Sequence, residues 1–262
     1  MNAATFQRPA LLKVVPDALA FVLGLGTAWL QGWTTTDLVW SLWLSSLVLG
    51  YLTILSTIAA GVYIAARLIL QGDVPPQQRM TVILIGSVVA LFFLGFFSLH
   101  FCGFHAAHAG FLTHFFPLEQ LPKNAFNDAF MNPIRLWKTA LQYLVPAYGV
   151  FLLPAIIAER GYVFASLISA ARALRAGVGK TLLQGFMQRG QGGKKSLGDP
   201  FVRPYINVIR MHLLIFFFGL CHALKVESFY VFTTVYVVYF FPWRAFRNET
   251  APAQVGAGVS AL

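Results

Sequence analysis

The chain has 262 residues, of which 58% are hydrophobic and only 11% are charged. Because soluble domains carry about a quarter charged residues, this composition excludes an ordinary soluble protein and predicts an all-α helical bundle in a membrane. The net charge of +10 would suit a nucleic-acid-binding protein, but basic cytoplasmic loops account for it in a membrane protein. The two cysteines, Cys102 and Cys221, exclude a disulfide framework and an all-cysteine zinc site.

Six apolar segments approach the roughly 20 residues that a helix needs to cross a bilayer. The first is followed by Gln31-Gly-Trp33 and not by a small-residue cleavage site, so we expect a retained anchor. Turn-forming residues separate the segments, at 31–36, 72–76, 117–133 and 185–204. The predicted spans, within a single transmembrane domain over 1–262, are 12–32, 38–66, 80–104, 136–157, 204–224 and 228–243.

Basic residues predict the orientation of these spans. With the N-terminus inside, all but four of the 19 Lys and Arg residues lie on the cytoplasmic side; the exceptions are Lys123, Arg135, Lys138 and Lys225. By the positive-inside rule, both termini are therefore predicted to be cytoplasmic. The segment 176–203 is then a basic, glycine-rich cytoplasmic loop facing anionic lipid, and 248–262 is a cytoplasmic tail. The stretch Tyr162–Ala176 is predicted to be helical, either extending the fourth span or lying on the membrane surface.

The second span carries a stripe of small residues at helical spacing, and small residues let helix backbones approach closely. We expect this stripe to serve helix packing rather than ligand binding. It comprises Ser46, Gly50, Thr53, Thr57 and Gly61. The tryptophans that flank the first outer turn are predicted to form an interfacial belt, and they are Trp29, Trp33, Trp40 and Trp43. Pro146 and Pro154 are expected to kink the fourth span.

Four of the six histidines, His100, His105, His108 and His114, cluster on the third span. The third and fifth spans both run outward, so His105, His108 and His222 reach comparable depths near the outer face. On a helix, His105 and His108 are about 60° and 4.5 Å apart and can point at one ion, whereas His100 is about 12 Å deeper than His108. Glu227 opens the sixth span beside the same surface.

Ionisable residues within spans are usually functional, and neutral imidazole is the commonest metal ligand. The pattern therefore predicts a transition-metal site for Cu, Zn or Fe. Its candidate ligands are His105, His108 and His222, completed by Glu227 or water, with Cys102 and Cys221 as soft ligands favouring Cu(I) or Zn. Each histidine alone could instead donate to a backbone carbonyl or be solvated at the interface, so both interpretations stay open.

Haem is the alternative cofactor, because histidines on two helices can hold its iron between them. His100 or His105 facing His212 or His222 would supply the axial ligands. Small residues on the third span would leave room for the macrocycle, although close helix packing also explains them. They are Gly103, Ala106, Ala107, Ala109 and Gly110.

Other chemistries are not supported by the sequence. The stretch 176–181, AGVGKT, resembles the end of a phosphate-binding loop, but Leu174 stands where the pattern needs its first glycine. We therefore predict neither nucleotide nor nucleic acid as a partner. The acidic residues lie near span ends or in loops, which argues against an ion-coupled transporter. Catalysis is left open, since a bound metal could activate water or oxygen.

Three stretches resemble an uncharacterised family of bacterial polytopic integral membrane proteins: the turn around Trp29, Gly32 and Trp33, the segment from Trp40 to Gly50, and Phe97–Phe111. That family carries Tyr-Trp-x-Glu-Asn in its second span, where this chain has Leu42-Trp-Leu-Ser-Ser46, so the acidic–amide pair is absent. The resemblance covers the first half of the chain and the fifth span. It implies a multi-pass protein of a bacterial inner membrane with about six helices, and it implies no activity.

Two functional classes follow. One is a membrane protein with a histidine-lined metal or haem site near the outer face, serving redox chemistry or metal handling. The other is a non-catalytic accessory or structural subunit of a larger membrane complex, with other membrane proteins as partners. In both classes the lipid bilayer surrounds the chain.

Overall fold

The computed structural model describes residues 10–122, 124–177 and 229–240, together with 209, 213, 216–218, 220, 221 and 224–226. These residues form helices, turns and loops, with no strand among them. Three of the helical stretches are long and apolar enough to cross a membrane, namely Thr35–Leu70, Pro76–Phe115 and Pro133–Val163. The predicted all-α fold is confirmed for the described residues, and its three long apolar helices could span a membrane. The number of spans and the side of the termini stay predictions.

A short turn joins the first two helices, and α1 packs mainly against the helix Val145–Val163. Helix α1 covers Ala10–Leu30, and its apolar part, Val15–Leu30, is shorter than the three long helices. Helix α2 covers Thr35–Leu70 and begins with a capping box, in which Thr34 accepts from the Asp37 backbone and the Asp37 carboxylate accepts from the Thr34 backbone. Such a box satisfies two of the backbone donors that a helix start leaves open.

Helix α3 covers Pro76–Phe115 without interruption and is about 60 Å long at 1.5 Å per residue. It starts on Pro76, whose fixed backbone angle suits the first helical position. The span predicted to end at 104 continues to Phe115, because neither Gly103 nor Gly110 ends the helix.

The next long stretch joins α4 (Pro133–Thr139) and α5 (Val145–Val163) through a π-helical turn at Ala140–Leu144. In this turn the Val145 backbone N–H donates to the Ala140 carbonyl, five residues back. Pro146 explains the widening, since its ring has no N–H and would clash with the carbonyl four residues earlier. The helix then continues through Pro154.

Two shorter helices complete the described structure. Helix α6, Ala165–Arg175, follows α5 after Phe164, which matches the helix predicted for 162–176. It packs along α2, where Thr57 Oγ1 lies 3.0 Å from Ser166 Oγ, and just before it the Ser56 hydroxyl donates to the carbonyl of Val163, the last residue of α5. Helix α7, Phe229–Phe240, falls within the predicted sixth span. Most of the predicted fifth span lies outside the described residues.

The loop between α3 and α4, residues 116–122 and 124–132, folds back against the bundle and is called the capping loop below. Phe126 is 4% exposed, stacks on Trp40 at a centroid distance of 5.9 Å and meets Trp43 edge-on at 5.5 Å.

The predicted tryptophan belt is therefore wrong for Trp33, Trp40 and Trp43, all of which are buried; of the four tryptophans, only Trp29 is exposed. Buried tryptophans need partners for their N–H groups, and Trp40 donates to the Phe116 carbonyl at 2.8 Å.

The small-residue stripe on α2 serves packing, as predicted, over most of its length. At Gly50 an added Cβ would lie 2.2 Å from Phe101 Cζ, so only glycine admits the ring there. Thr53 donates to the Leu49 carbonyl within α2, while Thr57 reaches α6. Gly61 is the exception, since it is exposed and no atom lies within 4 Å of the Cβ position.

Candidate functional site

The predicted ligand His105 is completely buried between α3 and α2. Its Nδ1 lies 3.0 Å from the Phe101 carbonyl oxygen, and its Nε2 lies 3.3 Å from Ser46 Oγ. A carbonyl oxygen can only accept, so Nδ1 carries the proton and Nε2 accepts from the serine hydroxyl. Both ring nitrogens are thus engaged within the chain.

Aromatic side chains fix the position of this imidazole. The Trp43 indole N–H donates to the His105 carbonyl oxygen at 3.1 Å, and the two rings meet edge-on with centroids 5.8 Å apart. The Phe101 ring lies closer, at a centroid distance of 4.3 Å. The α2–α3 interface therefore holds His105 by three side chains besides its hydrogen bond to the Phe101 carbonyl: Trp43, Ser46 and Phe101.

The other histidines of α3 divide into one buried and two exposed residues. His108 is 4% exposed, and its ring centroid lies 6.4 Å from that of His105. His100 lies on the exposed face, between Phe96 and Phe104. His114 is exposed near the end of the helix. The structure therefore brings together His105 and His108 and places His100 apart from them.

The two cysteines are buried in different surroundings. Cys102 is completely buried, and its thiol lies beside the indole of Trp137 on α4. The Trp137 Nε1 is also buried and has no acceptor at normal hydrogen-bond geometry. Cys221 is 8% exposed, and Phe218, three residues earlier, contacts Phe116 with ring centroids 6.5 Å apart. This contact places part of the predicted fifth span against the C-terminal end of α3.

Three of the predicted site residues, His212, His222 and Glu227, lie outside the described residues. Within the part of the chain that the structure describes, no three His, Cys, Asp or Glu side chains are grouped to hold a metal ion. A complete site would therefore require His222 or Glu227 beside the buried histidine pair. The metal site and the alternative haem site both stay predictions.

Two polar features of the structure were not predicted. Tyr51 Oη and Ser98 Oγ lie 2.8 Å apart across the α2–α3 interface, and the Tyr51 ring packs edge-on against Trp137 at 5.3 Å. The Tyr148 hydroxyl donates to the Asp37 carboxylate at 3.0 Å, tying α5 to the start of α2. In both cases the sequence shows a polar residue inside an apolar helix, which is a sign of a specific role. It does not show the partner of that residue, because the partner lies far away in the sequence.

Comparison with known proteins gives a family but no activity. No curated protein and no solved structure is significantly similar to the chain. The sequence profile of a family of unknown function, DUF6498, matches residues 3–240. The family match therefore covers more of the chain than the resemblance described in the sequence analysis, which was limited to the first half and the fifth span. The chain belongs to this family of unknown function.

Proposed function

We propose that the chain is a six-span protein of a bacterial inner membrane, with both termini in the cytoplasm, that binds a transition-metal ion near its outer face. The ion would be Cu, Zn or Fe, held by His105, His108 and His222, and would serve redox chemistry or metal handling. The asymmetric distribution of Lys and Arg supports the orientation. The three long apolar helices support the membrane location.

The metal proposal rests on the buried pair of histidines, His105 and His108. A metal–nitrogen bond is about 2.0–2.1 Å long, so two imidazoles on one ion have ring centroids roughly 5–6.5 Å apart. The centroids of His105 and His108 are 6.4 Å apart, which is about 1 Å more than two ligands of a tetrahedral ion need. Small side-chain rotations would therefore allow both rings to bind the same ion.

The hydrogen bonds of His105 suit a ligand as well as a packing residue. Metal-binding histidines commonly donate their other ring N–H to a backbone carbonyl, which fixes the tautomer and the ring orientation. His105 makes this bond through Nδ1 to Phe101. Its Nε2 lone pair points at the Ser46 hydroxyl over 3.3 Å, a long hydrogen bond that an ion could replace.

The third ligand would come from the fifth span. The contact between Phe218 and Phe116 supports the placement of that span beside the C-terminal end of α3. Buried Cys221 is the residue directly before His222. Cys102 faces Trp137 on α4 and is therefore a weaker candidate than the histidines.

Metal analysis of the full-length protein in detergent, by plasma mass spectrometry, tests the proposal. We expect about one Cu, Zn or Fe per chain, lost in His108→Ala and in His222→Ala. His100→Ala is the matched control, because it removes an exposed histidine from the same helix and should leave the metal in place. Equal metal content in all four proteins would contradict an ion at these residues. A Soret absorption band would instead assign haem.

One observation favours the second candidate, an accessory subunit without a cofactor. Both ring nitrogens of His105 already have partners inside the chain, which is sufficient for a histidine that only fastens α3 to α2. In that case no variant would change the metal content, and intact partner proteins would purify with the chain. The metal analysis and the composition of the purified complex thus separate the two functions.

A further inference from the structure

A groove of about 940 Å³ opens on the side of the bundle, away from the buried histidines. It lies between α3, α4 and the π turn, with Tyr51 of α2 in its wall, and its other polar lining residues include Ser98, Lys138 and Gln142. Most of the remaining lining is apolar. The volume is within the usual range of small-molecule sites, about 300–1,000 Å³.

The groove contains a cation, Lys138, that no carboxylate among the described residues neutralises. Among the described residues, no carboxylate lies within salt-bridge distance of Lys138, whereas Arg135 pairs with Asp128 at 2.5 Å. Lys138 follows Pro133 by five residues, or about 7.5 Å along the helix axis. A lysine at that depth can extend its amino group to the membrane interface while its methylenes cover apolar surface.

We propose that this groove binds one glycerophospholipid, with its phosphate at Lys138 and an acyl chain against Gly95, Leu99 and Leu141. Charge complementarity selects an anionic headgroup, and the apolar lining below it suits a hydrocarbon chain. The Tyr51 and Ser98 hydroxyl groups hydrogen-bond to each other, which lowers the polarity of the deeper wall. The proposal depends on the membrane location proposed above and is independent of the metal site.

The structure offers a way to fill the groove without disturbing the fold. Gly95 lines it, and no atom lies within 4 Å of the position that a Cβ would take. Gly95→Phe should therefore place a ring where the acyl chain lies. Gly86→Phe is the matched control, because Gly86 lies on the same helix, is equally open and does not line the groove.

Native mass spectrometry of the detergent-solubilised full chain, titrated with dioleoyl phosphatidylglycerol, measures the binding. We expect one bound lipid in the parent protein and in Gly86→Phe, and loss of that lipid in Gly95→Phe. If Gly95→Phe does not fold, Leu99→Trp fills the same groove from one turn further along. A filled groove that still binds the lipid as the parent does would overturn the proposal.

The headgroup contact is tested by Lys138→Gln, with Arg135→Gln as the control. Loss of one exposed ion pair should weaken phosphatidylglycerol binding about threefold, while Arg135→Gln should leave it unchanged. Dioleoylglycerol, which has no phosphate, should bind Lys138→Gln and the parent protein equally. Equal losses in both charge variants would show general electrostatic attraction and overturn the assignment of the phosphate to Lys138.

Discussion

The two halves of α3 have similar apolar composition and opposite environments. Every buried residue of this helix lies between Phe97 and Leu112, where α2 and the capping loop cover it. In the half before Phe97, large side chains such as Leu84 and Leu91 are about two-thirds exposed. Hydrophobicity alone therefore does not determine which part of the helix is packed.

The residues that distinguish the buried half are small or polar. In lipid, apolar side chains gain little by meeting one another, so close packing and interhelical hydrogen bonds decide which surfaces associate. The buried half has Gly103, Ala106 and Ala109 for close approach and His105 for a hydrogen bond to α2. The exposed half offers branched aliphatic and aromatic side chains, which would match the hydrocarbon of a bilayer.

The largest difference is expected between two leucine truncations on α3. Leu112→Ala opens a cavity in the packed half and should reduce the free energy of unfolding by about 3 kcal/mol. Leu91→Ala, in the exposed half, should change it by no more than about 0.5 kcal/mol. Detergent titration followed by circular dichroism measures both, and equal losses would abolish the distinction between the halves.

A smaller loss is expected where α2 meets the packed half. Gly50→Ala places a Cβ within 2.2 Å of Phe101 Cζ, and overpacking of this kind costs about 2 kcal/mol. Gly61→Ala is the control, since its Cβ position is open. Adding Phe101→Leu to Gly50→Ala should recover part of the loss, and an additive double variant would show that the two residues do not clash.

The smallest loss is expected at Ser46. Ser46→Ala removes the hydroxyl that donates to His105 Nε2, and interhelical hydrogen bonds in membranes contribute about 0.6 kcal/mol. The same variant leaves Nε2 available to an ion, so under the metal proposal the metal content stays the same or rises. A fall in bound metal would indicate that Ser46 positions the ligand or binds the ion itself.

Local patterns in the sequence were sufficient for the helical fold and for the main turns. Apolar length predicted α2, α3 and the α4–α5 stretch to within a turn or two, except at the end of α3. The turns at 31–34 and 71–75 follow from glycines with positive φ, Gly32 and Gly72, which are signals that sequence carries directly.

Contacts between distant residues could not be predicted in this way. Trp40 and Trp43 were assigned to the interface because they flank a turn, yet the capping loop buries them through Phe126. That stretch was predicted only as a turn region between two spans, at 117–133, since nothing near Phe126 in sequence indicates its partners. Convergence of His105 with His108 was predictable from helical spacing, whereas convergence with His222 still depends on the predicted topology.

The π turn at Ala140–Leu144 has a geometric consequence for the whole α4–α5 stretch. Its buried positions Leu136, Ala140, Leu144 and Tyr148 follow one another at intervals of four, which in a regular α-helix would rotate the row by about 40° at each step. The wider turn takes up much of that rotation, so the row stays on the buried side of the stretch. Because a π turn holds one residue more than a regular α-helical turn, Leu136 and Tyr148 keep nearly the directions they would have on an uninterrupted helix one residue shorter, and both can be buried in the same bundle.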